Sequence, residues 1–172
     1  MSPTGKIPQG QLPADIEPIL LAEKRAHLIG VLPLKAMPRL AQAGLDSTGE
    51  AQVDLHFGHA EIGNVYEMTG RLRATVRVAC QRCLEPMALT LETDVRLLLL
   101  RPGERPEGLA PEVEALVVDR PLRLSELVED ELLLAMPMIP LHPVEACAAK
   151  NFVKSATPAD KPLSGLNRLK RT

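Results

Sequence analysis

Two stretches in which apolar and polar residues alternate constrain the fold of this chain more than any other feature. VYEMTGRLRATVRVAC, residues 65–80, has one apolar face and one polar, basic face. ALTLETDVRLLLL, residues 88–100, repeats the same period of two. Side chains of a β-strand point alternately to its two faces, so each stretch predicts a half-buried strand. The short CQRCLEPM between them predicts an antiparallel hairpin with Cys80 and Cys83 at its tip.

Shorter patterns predict further strands around this hairpin. AQVDLHFG, residues 51–58, alternates like a strand, and EALVVD, residues 114–119, is rich in β-branched residues. A sheet of about four antiparallel strands is therefore expected. RPGERPEGLAPE, residues 101–112, is dense in proline, glycine and charge and predicts an exposed loop.

Helical spacing of apolar residues predicts a helix over residues 18–30 and another over residues 125–136. We expect Asp15 to be the N-cap of the first helix and Gly30 to end it, and Ser125 to be the N-cap of the second. A further turn or two is expected in residues 35–44, where Pro38 weakens the prediction.

Together these elements predict an α+β fold: an antiparallel β-sheet with a long central hairpin, packed by a few helices. Residues 1–13 contain prolines and glycines without an apolar period and predict a flexible N-terminal arm. Residues 14–147 are expected to form a single domain. Residues 148–172 are polar and basic and predict a poorly ordered tail.

Composition narrows the classes of function. Trp is absent and aromatic residues make up 2% of the chain, so the stacking platforms of single-strand nucleic-acid readers are missing. The net charge of −2 argues against a protein that coats nucleic acid. The start shows no secretory pattern, and no apolar run has the roughly 18 residues needed to span a bilayer. A cytoplasmic protein without a membrane partner is expected.

The cysteines are the strongest candidate site. Cys80 and Cys83 provide half of a tetrahedral thiolate site, and His142 and Cys147 provide a second half. The set predicts a closed, structural zinc site. Two alternatives stay open: three unrelated thiols, with Cys80 on the apolar face, Cys83 as a turn cap and Cys147 without a role, and a thiol-redox pair. The redox motif normally joins a strand to a helix, whereas an alternating strand follows here.

Basic side chains are candidates for contact with RNA or a protein partner, because Lys and Arg neutralise phosphates. They are Arg71, Arg73, Arg77 and Arg82 in the hairpin and Lys161, Arg168, Lys170 and Arg171 in the tail. The alternative is an ordinary sheet surface, on which Glu92 and Asp94 of the returning strand pair with the arginines.

No catalytic set of residues is evident. The VEDE sequence, residues 128–131, is interpreted as acidic charge near the positive end of a helix dipole. His27, His56 and His59 have no triad-like neighbours in the sequence. The chain is therefore not expected to be an enzyme.

Several segments together resemble the bacterial YceD family, the large ribosomal RNA subunit accumulation proteins. They are, in order, EPILLAEKRAHLIG, ACQRCLEPM, LVEDELLLAMPMIPLHPVEAC and KPLSGLNRLKR. The resemblance implies a role in the synthesis, processing or stability of large-subunit (23S) ribosomal RNA. In some relatives a cysteine stands at the position of His142, with more cysteines after it, which is similar to a metal-binding arrangement.

Two functional hypotheses follow. The first is a non-catalytic factor in ribosome biogenesis whose partner is ribosomal RNA or a large-subunit ribosomal protein. The second is a small zinc-dependent or thiol-redox regulatory module that acts through Cys80 and Cys83. The sequence does not indicate an oligomeric state.

Overall fold

The computed structural model describes residues 12–46, 48–61, 65–104 and 114–150. The predicted arm, apart from its last two residues, and most of the predicted tail lie outside the described residues. So does the greater part of the predicted loop at 101–112. The described residues belong to two compact units. The first unit contains the described residues up to Val78 together with Ala88–Met138, and the second contains Ala79–Met87 and the described residues from Ile139 onward.

The first unit contains a five-stranded sheet and a separate two-stranded sheet. The strands are β1 (Asp15–Ile16), β2 (His27–Pro33), β3 (Glu50–His59), β4 (Tyr66–Ala79), β5 (Pro86–Leu100), β6 (Ala115–Val117) and β7 (Leu122–Arg123). The helices are α1 (Pro18–Glu23), α2 (Pro38–Gln42) and α3 (Leu124–Leu134). The large sheet has the order β2-β3-β4-β5-β6, and β1 pairs with β7.

This architecture confirms the α+β prediction and the long hairpin. Strands β2, β3 and β4 are antiparallel neighbours. Strand β5 follows β4 after a connection too short for a parallel crossover. The expected count of strands was too low, and the edge strand β6 runs parallel to β5. The chain between them is long enough to make that parallel pairing possible.

The larger of two buried clusters lies on one face of the sheet, and Val65, Leu98 and Leu100 form the smaller one. The alternation in β4 buries Met68, Leu72, Ala74 and Val76, and β5 contributes Leu91, Val95 and Leu99. Helix α3 buries Leu124, Val128 and Leu132 in the same cluster. Burial of these aliphatic side chains supplies the main stabilisation of the unit, since apolar area removed from water contributes about 25 cal/mol per Å².

The predicted helix over residues 18–30 was wrong in its second half. Helix α1 ends at Glu23, Arg25 adopts a positive φ of 49°, and the chain continues as β2. Gly30 lies inside β2, opposite Val53. Asp15 is in β1 and does not cap the helix, whose N-cap is Glu17. Backbone pairing with β3 overrides a local helical pattern that this short segment could also satisfy.

The start of α3 differs from the predicted one, and the position of Pro38 explains how α2 can begin. Helix α3 begins at Leu124 with Arg123 as its N-cap, so the predicted cap at Ser125 was wrong. The amide of Leu124 donates to the carbonyl of Ala14 instead. In α2, Pro38 occupies the first turn, where its missing N–H costs nothing.

Gly70 marks a close approach between two backbones in the sheet. It lies in β4 opposite Leu55 of β3, and a Cβ atom there would sit 2.0 Å from the carbonyl oxygen of Asp54. Glycine inside a strand often marks such an approach.

We expect Gly70→Ala to lower the free energy of unfolding by about 1–3 kcal/mol, because the two strands must separate to admit the methyl group. Urea denaturation measures the change. Gly58→Ala is the matched control, since a Cβ at Gly58 of the neighbouring β3 meets nothing within 4 Å. Equal stabilities of the two variants would contradict the packing argument.

Candidate metal centre

The tip of the hairpin is a tight turn over residues 81–83. The amide of Cys80 donates to the carbonyl of Glu85 at 2.9 Å, and the amide of Leu84 donates to the carbonyl of Cys80 at 2.8 Å. Leu84 has a φ of 63°, a conformation that leucine rarely adopts. These bonds hold the turn in a shape that carries local strain.

The proline-rich segment after α3 is bound to this turn within the second unit. The amide of Gln81 donates to the carbonyl of Pro140 at 2.9 Å, and the amide of His142 donates to Sγ of Cys80 at 3.4 Å. A single 3₁₀ turn, Val144–Ala146, then leads directly to Cys147. The segment therefore brings two further ligand residues to the two cysteines of the tip.

Four side chains converge at this point: Cys80, Cys83, His142 and Cys147. Each offers one ligand atom, and these atoms all lie within 4.8 Å of one another. Nδ1 of His142 is 3.3 Å from Sγ of Cys83. Bonds of about 2.3 Å to sulfur and about 2.0 Å to nitrogen require ligand atoms about 3.5–3.8 Å apart in a tetrahedron, so only small shifts are needed. The cluster can hold a metal ion.

The two cysteines of the tip differ in acidity. Burial raises the pKa of the Cys80 thiol, but the backbone amides of His142, Cys83 and Arg82 stabilise its thiolate, and the pKa falls to about 6. At Cys83 the backbone amide of Glu85 lowers the pKa of the thiol. Burial and hydrogen bonds with the sulfurs of Cys80 and Cys147 act in the opposite direction and raise it. The net pKa of Cys83 is raised. The turn thus favours one anionic sulfur, the form that binds metal.

The described part of the second unit has almost no hydrophobic interior. Among its described residues only Cys80, Pro140 and Cys147 are buried. Its large apolar side chains are exposed instead: Leu84 is 78% exposed and Ile139 is 61% exposed. A segment with so few buried apolar side chains normally needs a disulfide, a metal ion or contacts with further residues to order its backbone. The three cysteines are free thiols, so no disulfide joins the described residues of this unit.

Comparison with known proteins gives two matches. A family profile described as "Large ribosomal RNA subunit accumulation protein YceD" matches residues 68–166, more than half of the chain. A protein of Haemophilus influenzae with the same description is 30% identical over 139 residues, which covers 80% of this chain and 79% of that protein. The chain belongs to the YceD family. No solved structure matches it.

The part of the chain that matches the YceD family contains the candidate metal centre. It begins in β4 at Met68 and includes the hairpin tip, α3 and all four potential ligands. Strands β1, β2 and β3 precede it. Within the described residues no helix combines the length and the apolar character needed to cross a membrane.

The predicted basic contact residues have different surroundings. Nε of Arg71 is 2.9 Å from Asp94 and 3.8 Å from Glu92. The charge of this arginine is therefore compensated across the sheet, as expected for an ordinary sheet surface. None of the ion pairs among the described residues includes Arg73 or Arg77, whose side chains are exposed. Arg82 lies half-buried at the tip, while Lys161, Arg168, Lys170 and Arg171 lie outside the described residues.

The VEDE sequence has a role that the sequence analysis missed. Glu129 is 2% exposed, and its carboxylate accepts hydrogen bonds from the amides of Arg39 and Leu40 in the first turn of α2. Nε of Arg39 also donates to the carboxylate of Glu129 at 3.1 Å, and Nη2 of Arg39 donates to the carboxylate of Asp130. The acidic sequence is therefore a cap for a distant helix, and not only a favourable charge in its own first turn. Only the long-range contact reveals it.

Proposed function

We propose that the protein is a non-catalytic, cytoplasmic factor in ribosome biogenesis that supports the synthesis, processing or stability of large-subunit (23S) ribosomal RNA. Its partner is ribosomal RNA or a large-subunit ribosomal protein. Membership of the YceD family is the observation that carries the proposal. The name of the Haemophilus influenzae relative refers to accumulation of the same ribosomal RNA subunit.

The proposal includes one structural zinc ion held by Cys80, Cys83, His142 and Cys147. Three thiolates and one imidazole form a soft, tetrahedral set that suits zinc and leaves no open position for a substrate. The ion would cross-link the hairpin tip to the segment that contains His142 and Cys147. The exposed apolar side chains and the few buried residues in the described part of the second unit support this role.

Contact with the partner is assigned to exposed arginines of the hairpin and to the basic tail. Arg73 and Arg77 are the strongest candidates, because no acidic side chain of the described residues neutralises them. Arg71 contributes less, since Asp94 and Glu92 already compensate its charge. Arg82 and the tail residues Lys161, Arg168, Lys170 and Arg171 complete the proposed set.

Loss of the protein is expected to lower mature 23S ribosomal RNA relative to 16S. The ratio reports on the protein because the proposed factor acts on one ribosomal subunit only. A deletion strain complemented by the wild-type gene should recover the ratio of 23S to 16S RNA. Quantification of both RNAs during growth tests this. An unchanged ratio in the deletion strain would refute the proposed function.

The same deletion strain tests whether Arg73 and Arg77 contact the partner. A gene with both Arg73→Ala and Arg77→Ala should complement poorly, and crosslinking in cells should recover less RNA from that variant. Arg96→Ala is the matched control, since Arg96 is also exposed on the sheet and faces Glu67 at 3.7 Å. If the double variant complements as well as the control does, the contact assignment fails while the proposed function stands.

A further inference from the structure

We infer that His27, Asp54 and His56 form a second divalent-metal site, open to solvent, on the first unit. The three ligand atoms lie within 4.8 Å of one another. The site shares no residue with the cysteine cluster, and its donors are imidazole nitrogens and a carboxylate oxygen. The inference does not depend on the proposed function.

The register of two strands creates this site. His27 of β2 lies directly opposite His56 of β3. Asp54 is two residues before His56 in the same strand, so both side chains point to one face of the sheet. Side chains of directly opposed residues have Cβ atoms about 4.5–5.5 Å apart, close enough for a common ligand.

The side-chain geometry brings the three donor atoms close together, in contacts with one another that an ion would have to replace. Nε2 of His27 is 2.6 Å from Oδ1 of Asp54, and Nε2 of His56 is 3.4 Å from the same oxygen. The two imidazole rings are stacked, with centroids 3.8 Å apart and an interplanar angle of 17°. Stacked rings direct their lone pairs side by side, so binding requires the rings to rotate until both nitrogens point at one ion.

The donor types indicate which metals fit. Two imidazoles and one carboxylate suit Zn²⁺, Ni²⁺, Co²⁺ and Cu²⁺, whereas Mg²⁺ and Ca²⁺ prefer oxygen ligands alone. Three protein ligands leave at least one position for water or another small ligand. Half of the Asp54 side chain and 57% of the His56 side chain are exposed, so an ion can reach the site from solvent.

A nearby positive charge does not prevent cation binding. Arg71 lies opposite Asp54 on β4 and is the closest basic residue in the register of the sheet. Its guanidinium is engaged with Asp94 and Glu92, and these interactions raise its pKa, to which the charge of Asp54 makes only the smallest contribution. The carboxylate of Asp54 therefore remains available to the two histidines, with which it makes its closest contacts.

Calorimetric titration with Ni²⁺ tests the site in the full-length chain, with the total Zn²⁺ content brought to one equivalent so that only the cysteine cluster is filled. We expect one equivalent of Ni²⁺ to bind, with an affinity at least about tenfold lower in His27→Asn and in His56→Gln, since even indirect support of a ligand is worth about 10–100-fold. Paramagnetic broadening of the ring signals of both histidines should accompany binding. His59→Asn is the matched control, because His59 is an exposed histidine of the same strand outside the cluster.

Three outcomes would overturn the inference. Wild-type protein with no Ni²⁺ binding would exclude the site. Equal weakening by His59→Asn would indicate general histidine binding. If Cys80→Ser no longer binds Ni²⁺ while His27→Asn still does, the ion binds at the cysteine cluster. If Cys80→Ser still binds Ni²⁺ and Asp54→Asn does not, the result would support the site whether or not the cysteine cluster binds zinc.

Discussion

Replacement of Cys80 by serine is expected to abolish stoichiometric zinc in the purified protein. The sulfur of Cys80 is buried and is the most acidic thiol of the tip, with a pKa lowered to about 6, so its loss removes the ligand best prepared for metal. Elemental analysis of the purified protein measures the zinc content. Gln81→Ser is the matched control, because Gln81 lies in the same turn with an exposed side chain and is not among the potential ligands.

The same variant should lose the order of the second unit. Zinc contributes about 10–16 kcal/mol of binding free energy in small zinc-dependent folds, and that energy is also their folding energy. The amide of Gln81, which donates to the carbonyl of Pro140, is the local reporter. Its hydrogen exchange should become much faster in Cys80→Ser than in wild type, whereas amides of the first unit keep their protection.

This experiment also decides between the two functional hypotheses. Wild-type protein that contains no metal and forms a reversible disulfide between Cys80 and Cys83 would favour the thiol-redox module. Stoichiometric zinc that survives in Cys80→Ser would contradict the ligand set. The structural context favours metal, since the cysteine pair is followed by strand β5 and lacks the helix N-terminus that activates thiols in redox motifs.

Glu129→Ala is expected to destabilise the first unit by about 2–4 kcal/mol, because it removes a cap and leaves buried amides unsatisfied. The carboxylate accepts hydrogen bonds from the amides of Arg39 and Leu40 and is itself almost fully buried. Urea denaturation of zinc-loaded protein measures the loss. The metal content must stay constant, so that the change reports on the first unit.

The control for this prediction is Glu126→Ala in the same helix. The Glu126 side chain is 68% exposed and lies 4.0 Å from Arg123, an arrangement that contributes about 0–1 kcal/mol. If both variants lose the same stability, Glu129 does not act as the cap of α2. Glu129→Gln is informative as a third variant, since both backbone amides donate to Oε1 and a glutamine oxygen there can still accept them, whereas the contact of Oε2 with Nε of Arg39 is lost.

Two kinds of prediction succeeded from the sequence: one depends on local periodicity and the other on the order of short motifs. The alternation in residues 65–80 and 88–100 correctly identified the hairpin and its buried face, since each strand repeats one pattern for many residues. The position of Cys80 and Cys83 at the tip followed directly from that hairpin. The resemblance to the YceD family depended on the order of several short motifs, and it was confirmed by the comparisons.

Other features depended on contacts between distant residues. The contact between Glu129 and Arg39 joins positions 90 residues apart, and no local pattern marks either as its partner. The pair of His27 and His56 stayed hidden because residues 27–30 were assigned to a helix, which removed His27 from the register of the sheet. Cys83 and His142 are separated by 59 residues, so their approach depends on the path of the intervening chain.

The sequence by itself determined which faces are apolar, where the long hairpin turns and which ligand types the chain contains, since these follow from residue type and local spacing. Only the tertiary structure decided that residues 27–33 form an edge strand and which acidic side chain caps α2. It also decided which histidines and cysteines meet. The physical reason is that backbone pairing and burial are satisfied by partners far along the chain, whose choice depends on the whole fold.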